Sequence, residues 1–385
     1  MHISTRVKAV PASGIRKFFD IVSQMEDVIS LGVGEPDFVT PWHIREACIY
    51  SLERGYTNYT SNYGMIELRE LLAAYIEGKY GVRYDPSNQI LITVGVSEAI
   101  DLALRAILEP GEEVIIPEPC FVAYQPCVVF AGGVPVPIST GPETGFAPKP
   151  EQIERAVTPK TRAIMVSFPS NPTGAVMPRA DLQALVDIAK AHDLYIISDE
   201  IYDKLVYGVE HTCIASLDSA CERTIYLNGF SKAYAMTGWR IGYAASNPEV
   251  IEAMMKIHQY IIMCAPITAQ MAAMEALKNG EGDTLEMIQQ YGRRRRLIAG
   301  ALNKMGLECF EPKGAFYVFP SIKSTGLSSD QFAERLLFEE KVAVVPGNIF
   351  GQCGEGYVRC SYATSLQNIQ QAMERMAGFV QKVKR

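Results

Sequence analysis

Between about residue 85 and residue 250, short apolar runs alternate with segments of helical periodicity. The runs are nearly continuous in Val, Ile and Leu, as in strands that are covered on both faces. They occupy residues 89–94, 113–117, 161–168, 194–198, 224–228 and 240–245. Helical spacing fills the segments between them, most clearly residues 95–108 and 180–193. This alternation predicts an α/β fold with a mostly parallel sheet between helices.

The last hundred or so residues follow a different pattern. Residues 296–320 predict a helix, a strand, a turn and a second strand, in that order. An amphipathic helix follows, for which Ser329 is the expected cap. The remaining segments predict two strands and a closing helix, at residues 342–347, 356–362 and 365–383.

This C-terminal pattern predicts a smaller α+β domain. A chain of 385 residues is long enough for one large domain and one smaller domain. We expect the large domain to comprise residues 46–284. The N-terminal segment, residues 1–45, is expected to join residues 285–385 in the small domain.

Polar residues follow the predicted strands of the large domain within a few positions. Asp199 follows one strand and Lys232 another, while residues 95–97, 119–121 and Asn171 stand in equivalent places. Ligands bind at the carboxyl ends of parallel strands. The sequence therefore predicts that these distant residues meet at one edge of the sheet.

Composition and charge disfavour several classes of function. Hydrophobic residues make up 48% and charged residues 21%, the balance of a globular protein. Because 43 acidic residues outnumber 36 basic ones, nucleic acid is an unfavourable partner. The one basic run, Arg293–Arg296, is interpreted as a solvated helix face. No apolar stretch reaches the ~20 residues that span a bilayer, and the N-terminus lacks a signal-peptide core, so we expect no membrane and a cytoplasmic location.

Cysteine and histidine patterns argue against a metal site. The nine cysteines are odd in number and form no CxxC pair, which disfavours a disulfide framework or a zinc site. The five histidines form no HExxH pattern.

Two cationic residues lie in the stretch GFSKAYAMTGWRIGY, residues 229–243, and their function has to account for their charge. Lys232 and Arg240 lie in a stretch suited to burial, where an unpaired charge is costly. The sequence has no plausibly spaced Ser-His-Asp trio and no GxxxxGK[ST] loop, and LGVGEPD lacks the third glycine of a dinucleotide fingerprint. Pyridoxal 5′-phosphate accounts for the whole set. Its aldehyde needs a lysine, its phosphate a cation and backbone N–H groups, and its ring nitrogen a carboxylate.

At these residues the chain resembles the class I/II aminotransferases, which are fold-type I pyridoxal-phosphate enzymes. The resemblance rests on stretches in the family's order: ISLGVGEPDFVTP, TVGVSEAI, PEPCFVAY, SFPSNPTGAV, ISDEIY, NGFSKAYAMTGWRIGY, KGAFYVFP and GEGYVRCSYA. It implies a mostly parallel seven-stranded sheet in the large domain and a homodimer with sites at the subunit interface.

The resemblance assigns catalytic roles to three residues. Lys232 forms an imine with the cofactor and then moves the substrate's Cα proton. Asp199 faces the pyridine nitrogen, and Tyr202 bonds the 3′ oxygen together with Asn171. Glu200 competes with Asp199 by proximity, but the family pattern and the strand alternation favour Asp199.

The resemblance also assigns the phosphate and ring contacts. The phosphate would be bound at the start of a helix and by side chains near it: Gly95, Val96, Ser97, Ser231 and Arg240. Glu98 is expected to point away from this anion. Tyr59 would reach the phosphate of the neighbouring subunit, and Phe121 would stack on the pyridine ring. Many relatives carry a hydroxyl where this chain has Gly229.

Substrate recognition depends on Arg359, which by resemblance grips the α-carboxylate with help from Asn171 and Gly34. No Arg or Lys lies between Ile257 and Gln270, where some aspartate enzymes place a second arginine.

We therefore expect an aromatic or broadly apolar amino-acid donor and 2-oxoglutarate as the acceptor. Tyr63 and Phe38 are expected to add bulk near the entrance. Aspartate remains the runner-up, since the opening SGIRKFFDI, residues 13–21, fits the aspartate/aromatic subgroup.

Two other readings use the same family pattern. A C–S β-lyase would need nearly the same residues. An aminotransferase-like module of a transcription regulator would need a DNA-binding segment ahead of residue 13, where we expect no room for one.

Overall fold

The computed structural model describes residues 2–12, 14 and 25–384. The predicted SGIRKFFDI feature lies outside these residues except for Gly14. The helices, in chain order, are α1 Thr5–Ala9, α2 Trp42–Glu53, α3 Ile66–Tyr80, α4 Gly95–Ile107, α5 Tyr124–Ala131, α6 Pro150–Ala156, α7 Arg179–Ala191, α8 Pro248–Ile261, α9 Ile267–Asn279, α10 Glu281–Lys304, α11 Ser329–Glu340 and α12 Leu366–Val383.

A seven-stranded sheet forms the centre of the fold, in the order β2-β8-β7-β6-β5-β3-β4. Its strands are β2 Ile90–Thr93, β3 Glu113–Glu118, β4 Val134–Ser139, β5 Thr161–Val166, β6 Tyr195–Asp199, β7 Thr224–Gly229 and β8 Gly242–Ala245. Strand β8 runs antiparallel to both of its neighbours, while the other pairs are parallel. The prediction of an α/β fold with a mostly parallel sheet is confirmed.

One strand of this sheet, β4, is absent from the apolar pattern of the sequence. Five of its six residues are exposed or only partly buried, because β4 is an edge strand whose partner in the sheet is β3. Pro135 and Pro137 lie within it, and proline is tolerated at a sheet edge because an N–H facing solvent is not needed.

Smaller sheets follow in the C-terminal part. Strands β9 Tyr317–Val318, β11 Val345–Pro346 and β12 Val358–Ser361 form an antiparallel sheet with β12 in the middle. Strand β1, Ile29–Ser30, pairs in parallel with β10, Val342–Ala343. The division into two domains at residues 45 and 284 stays a prediction.

Two local predictions in the C-terminal part are wrong. The strand expected before the turn of segment 296–320 does not form, since residues 307–313 carry no regular structure. The cap of α11 is Ser328, whose hydroxyl accepts the N–H of Gln331 at 3.2 Å. Ser329 is buried instead, and its hydroxyl accepts the N–H of Gly356 at 2.9 Å.

The solvated face expected for Arg293–Arg296 is also wrong in part. Arg293 and Arg296 are exposed, but Arg294 is buried. Its guanidinium donates to a carboxylate oxygen of Asp37 at 2.7 Å and lies over the ring of Phe38. This arginine therefore ties α10 to the loop that follows β1, a contact that local spacing cannot reveal.

Candidate active site

A cavity of about 310 Å³ opens at the carboxyl ends of the central strands. It is lined by Gly34, Glu35, Val96, Ser97, Ile100, Phe121, Tyr124, Ser167, Asn171, Asp199, Ile201, Tyr202, Ser231, Lys232, Thr237, Arg240, Tyr317 and Arg359. The structure thus brings together every predicted site residue except Gly95 and Tyr59. The volume suits a small ligand.

Lys232 lies in the turn that follows β7, and its Nζ donates a hydrogen bond to the carbonyl oxygen of Gly34 at 2.7 Å. Burial, together with the positive charge of Arg359, lowers the pKa of this amine to about 8. Glu35 and Asp199 act in the opposite direction. A substantial share of Lys232 is therefore uncharged and nucleophilic at a pH where an ordinary lysine is not.

Asp199 is the last residue of β6 and is 5% exposed. Burial raises the pKa of its carboxyl to about 6, although hydrogen bonds from the hydroxyl of Tyr124, at 2.7 Å, and the N–H of Ile201, at 3.2 Å, oppose the shift. Its neighbour Glu200 points elsewhere and contacts Nε2 of His211 at 2.6 Å. Of the two carboxylates, only Asp199 faces the cavity.

Arg359, on β12, is 3% exposed and already held in place. Its guanidinium donates to Oδ1 of Asn171 at 3.0 Å and to the carbonyl oxygen of Gly32 at 2.6 Å, and it lies 4.6 Å above the ring of Tyr317. Because Oδ1 of Asn171 accepts from Arg359, the NH₂ group of that amide is available to donate elsewhere. Nε of Arg359 is buried without a partner among the described residues.

The first turn of α4 lies beside Arg240. Gly95 has a φ of +74°, and a Cβ there would lie 2.5 Å from Nη2 of Arg240. Only glycine therefore lets the guanidinium lie against the start of this helix, where N–H groups are free. Val96 and Ser97 carry the next N–H groups, and Ser97 is exposed to the cavity.

Glu98 does not line the cavity, as the presence of an anion there would require. One carboxylate oxygen accepts the N–H of Val94 and the other contacts Nδ1 of His258 at 2.7 Å. Gly229 is closely packed, since a Cβ there would lie 3.0 Å from both Cα of Gly242 and the carbonyl oxygen of Ile241. A hydroxyl-bearing side chain would not fit at Gly229 without a shift of the backbone.

Three further predicted residues complete the wall. Tyr202 places its hydroxyl 2.8 Å from the hydroxyl of Tyr317, and Phe121 meets the ring of Tyr124 edge to face at 5.6 Å. Ser231 is buried one position before Lys232. Tyr59, in contrast, is 80% exposed and lies outside the cavity of its own chain.

Seven residues that line the cavity were not predicted from the sequence. The missed residues are Glu35, Ile100, Tyr124, Ser167, Ile201, Thr237 and Tyr317. Tyr124 begins α5 directly after the predicted polar edge, a signal that could have identified it. The expectation that Phe38 and Tyr63 add bulk near the entrance stays a prediction, since neither residue lines the cavity itself, and neither does any residue of 256–270.

Comparison with known proteins identifies the family. The family model for aminotransferase class I and II matches residues 26–376. The chain belongs to this family. An aromatic-amino-acid aminotransferase 2 of Thermococcus litoralis is 48% identical over 98% of this chain and 97% of the relative. An aspartate aminotransferase of Pyrococcus abyssi matches with the same identity and coverage.

Solved structures agree with this assignment. The crystal structure of an aromatic aminotransferase from Pyrococcus horikoshii superposes with a TM-score of 0.91, at 46% identity, over 95% of this chain and 99% of that one. The fold is therefore that of the fold-type I aminotransferases, and the chain is a pyridoxal-phosphate-dependent aminotransferase.

The cavity residues fit this cofactor. The start of α4 beside Arg240 offers N–H groups and a positive charge to a phosphate. Asp199 offers a buried carboxylate, and Lys232 an amine with a lowered pKa. These are the donor, acceptor and nucleophile that pyridoxal 5′-phosphate requires.

Proposed function

We propose that this aminotransferase moves the α-amino group of an aromatic or large apolar amino acid to 2-oxoglutarate. One observation carries the donor preference. The cavity of the described chain contains three cationic side chains, Lys232, Arg240 and Arg359, and each is needed for another part of the reaction. No further Lys or Arg lines it to neutralise a second carboxylate on the donor.

The cofactor would be held by residues at two ends of the cavity. When bound, pyridoxal 5′-phosphate supplies a ring that withdraws electrons from the substrate's Cα. Asp199 would keep the ring nitrogen protonated, since an anionic carboxylate favours a proton on the group it faces. At the other end Arg240, Ser97, Ser231 and the start of α4 would bind the phosphate.

Lys232 would attach the cofactor and afterwards hold and move the Cα proton. A base is most effective when its pKa lies near the working pH, and a pKa of about 8 meets this condition better than that of a solvated lysine. Tyr202 and the NH₂ group of Asn171 would donate to the 3′ oxygen of the cofactor.

The substrate's α-carboxylate would meet Arg359. The guanidinium has two N–H groups committed to Asn171 and Gly32, which fixes its plane. Its remaining N–H groups and the backbone at Gly34 are then available to the carboxylate.

The apolar wall supports a large uncharged donor side chain. The cavity lining includes Ile100, Ile201, Phe121 and Tyr317 as well as the lysine. Contacts of this kind favour aromatic and branched side chains over a charged one.

Aspartate is the second candidate, because a relative that is 48% identical over 98% of this chain is named an aspartate aminotransferase. A donor panel against 2-oxoglutarate separates the two. We expect kcat/KM for phenylalanine and tyrosine to exceed that for aspartate by roughly tenfold or more, the size of effect that one unpaired charge produces in a binding site. If aspartate is the best donor, the aromatic proposal is wrong.

A β-lyase is tested in the same preparation. Loaded enzyme incubated with cystathionine and no 2-oxo acid should release neither pyruvate nor ammonia, since transamination keeps the C–S bond intact and frees no ammonia. Continuous release would favour the lyase.

We further propose a cytoplasmic homodimer in which Tyr59 reaches the partner's phosphate. Large aromatic side chains are exposed in two segments of the chain, at Tyr59, which is 80% exposed, and at Tyr260, which is 87% exposed. Asn62 donates to the carbonyl oxygen of Met263 at 2.8 Å, which holds the two exposed segments side by side. Exposed apolar patches of this kind support a protein interface.

Light scattering and the affinity of Tyr59→Phe for the cofactor test this proposal together. A dimer with weakened cofactor binding supports it, and a monomer with unchanged affinity contradicts it.

Among the described residues, no helix is long and apolar enough to cross a membrane.

A further inference from the structure

Tyr317 lies where three parts of the cavity meet. Its hydroxyl is 2.8 Å from that of Tyr202, and the guanidinium of Arg359 lies 4.6 Å above the centre of its ring. A Cβ on Gly34 would come within 2.8 Å of the same hydroxyl. Tyr317 is 1% exposed, so its side chain is almost fully covered by these and other neighbours.

The strand register explains how one residue reaches two sites. Tyr317 is paired with Ser361 on β12, and Arg359 lies two positions before Ser361. Side chains two positions apart on a strand share a face, so Tyr317 and Arg359 project from the same face of neighbouring strands. Tyr202 approaches from the turn that follows β6.

The direction of the hydrogen bond between the two phenols follows from proton counting, given the proposed function. Burial raises the pKa of both Tyr202 and Tyr317, so both keep their protons. Each hydroxyl has one proton to donate. If Tyr202 donates to the 3′ oxygen of the cofactor, Tyr317 must be the donor in the bond between them.

A phenol that accepts a hydrogen bond becomes a stronger donor through its own proton. Tyr317 thus reinforces the bond from Tyr202 to the cofactor, although it need not touch the cofactor itself. Its ring has a separate task, because the face that supports the guanidinium keeps Arg359 flat against Asn171 and Gly32.

We propose that Tyr317 is a positioning residue with two separable functions. Its hydroxyl orders the proton of Tyr202 toward the cofactor, and its ring orients Arg359 toward the substrate's carboxylate. The inference rests on the proposed roles of Tyr202 and Arg359 and adds a residue that links them.

Tyr317→Phe isolates the first function, because it removes the hydroxyl and keeps the ring. The loaded protein's visible absorption changes with pH as a proton is lost near the cofactor's 3′ oxygen. A weaker donor leaves negative charge on that oxygen less stabilised, so the proton is held to higher pH. We expect the midpoint to rise by about half a pH unit in Tyr317→Phe, less than in Tyr202→Phe, and to show no added rise when both changes are combined.

Tyr317→Leu tests the second function. Loss of the ring should raise KM for the amino donor at least about fivefold beyond Tyr317→Phe, with a smaller change in kcat. Tyr362→Phe is the matched control, since Tyr362 is also fully buried and donates to the carbonyl oxygen of Ala315 at 3.0 Å, outside the cavity. Its midpoint and KM should equal those of the unchanged protein.

The outcomes separate this inference from the proposed function. The role of the hydroxyl is overturned if the midpoint is unshifted in Tyr317→Phe, or if Tyr317→Phe adds its full shift to that of Tyr202→Phe. In both cases the visible band must still show that the cofactor is bound. The role of the ring is overturned if Tyr317→Leu and Tyr317→Phe have the same KM. Absence of the band in the unchanged protein would instead refute the proposed function.

Discussion

The Nζ of Lys232 donates a 2.7 Å hydrogen bond to the carbonyl oxygen of Gly34, a residue 198 positions earlier in the chain. The partner is a neutral carbonyl, and within the described residues no carboxylate lies in ion-pair contact with this amine. Burial removes water from this amine, and the positive charges of Arg359 and Arg240 lie nearby, so the protonated form is poorly stabilised. This environment accounts for the lowered pKa of Lys232.

The rate at which the unloaded protein attaches the cofactor should therefore rise with pH and level off above about pH 8. The reason is that raising the pH deprotonates Lys232, and only the neutral amine attacks an aldehyde. Stopped-flow absorbance over a pH series measures it. A rate that keeps rising toward the pKa of a free lysine, about 10.4, would contradict the assignment.

Asp199→Asn should change the pH dependence of stability of the unloaded protein. The folded pKa of about 6 lies above the ordinary 3.8, so the native state binds the proton more tightly and stability is lost as pH rises through this window. Asparagine does not titrate, so the variant's unfolding temperature relative to the unchanged protein should rise between about pH 4.5 and pH 7.5. A shift of this size corresponds to about 3 kcal/mol over the whole titration, of which about 2 kcal/mol falls between these two pH values.

The control for this prediction is Asp187→Asn, on the exposed side of α7. We expect no pH-dependent difference for that variant. Thermal unfolding at the two pH values decides the matter, and a relative stability of Asp199→Asn that falls or stays level toward neutral pH would count against a raised pKa.

Gly95→Ala should weaken cofactor binding through Arg240. The new Cβ would lie 2.5 Å from Nη2 of that arginine and must displace it from the helix start. We expect the dissociation constant for pyridoxal 5′-phosphate to rise roughly tenfold, the cost of about 1.4 kcal/mol of phosphate contact.

A matched variant separates this contact from backbone strain. Gly111 also has a positive φ, +86°, but a Cβ there meets nothing within 4 Å. Gly111→Ala should carry a similar strain and leave the affinity for the cofactor unchanged. Equal losses of affinity in the two variants would show that Arg240 is not involved.

Arg359→Leu should reduce kcat/KM for every amino donor. Loss of one partner from a buried, hydrogen-bonded charge pair costs about 2–5 kcal/mol, which is a factor of roughly 30 to several thousand. Steady-state kinetics with two donors measures it. Arg335→Leu is the control, because Arg335 is exposed, lies outside the cavity and forms an ion pair with Glu339 on the same helix. A uniform small change in both variants would argue against a carboxylate-binding role for Arg359.

Much of the central sheet could be predicted because its strands are buried on both faces. Ile196 and Ile197, for example, are both fully covered, so an unbroken apolar run marks their strand without any knowledge of its neighbours. Strand β4 lacks this signature because five of its six residues are exposed or only partly buried. Pro135 and Pro137 further separate it from the pattern of Val, Ile and Leu runs.

Contacts between distant segments could not be predicted in the same way. The run Arg293–Arg296 has the composition of a solvated face, and nothing local reveals that Asp37 lies opposite Arg294. Tyr317 likewise appears in the sequence as a strand aromatic. Its proximity to Tyr202 follows only from the register of β9 and β12 and from the turn after β6.

Reduction of the loaded protein with borohydride, followed by peptide mapping, tests the central claim most directly. A second lysine provides a built-in comparison, because burial also lowers the pKa of Lys204 to about 8. Its Nζ donates to the hydroxyl of Tyr234 at 2.6 Å, and Lys204 does not line the cavity. We predict that the phosphopyridoxyl label appears on the peptide that contains Lys232 and is absent from that of Lys204. A label on Lys204, or no label on either peptide, would contradict the account.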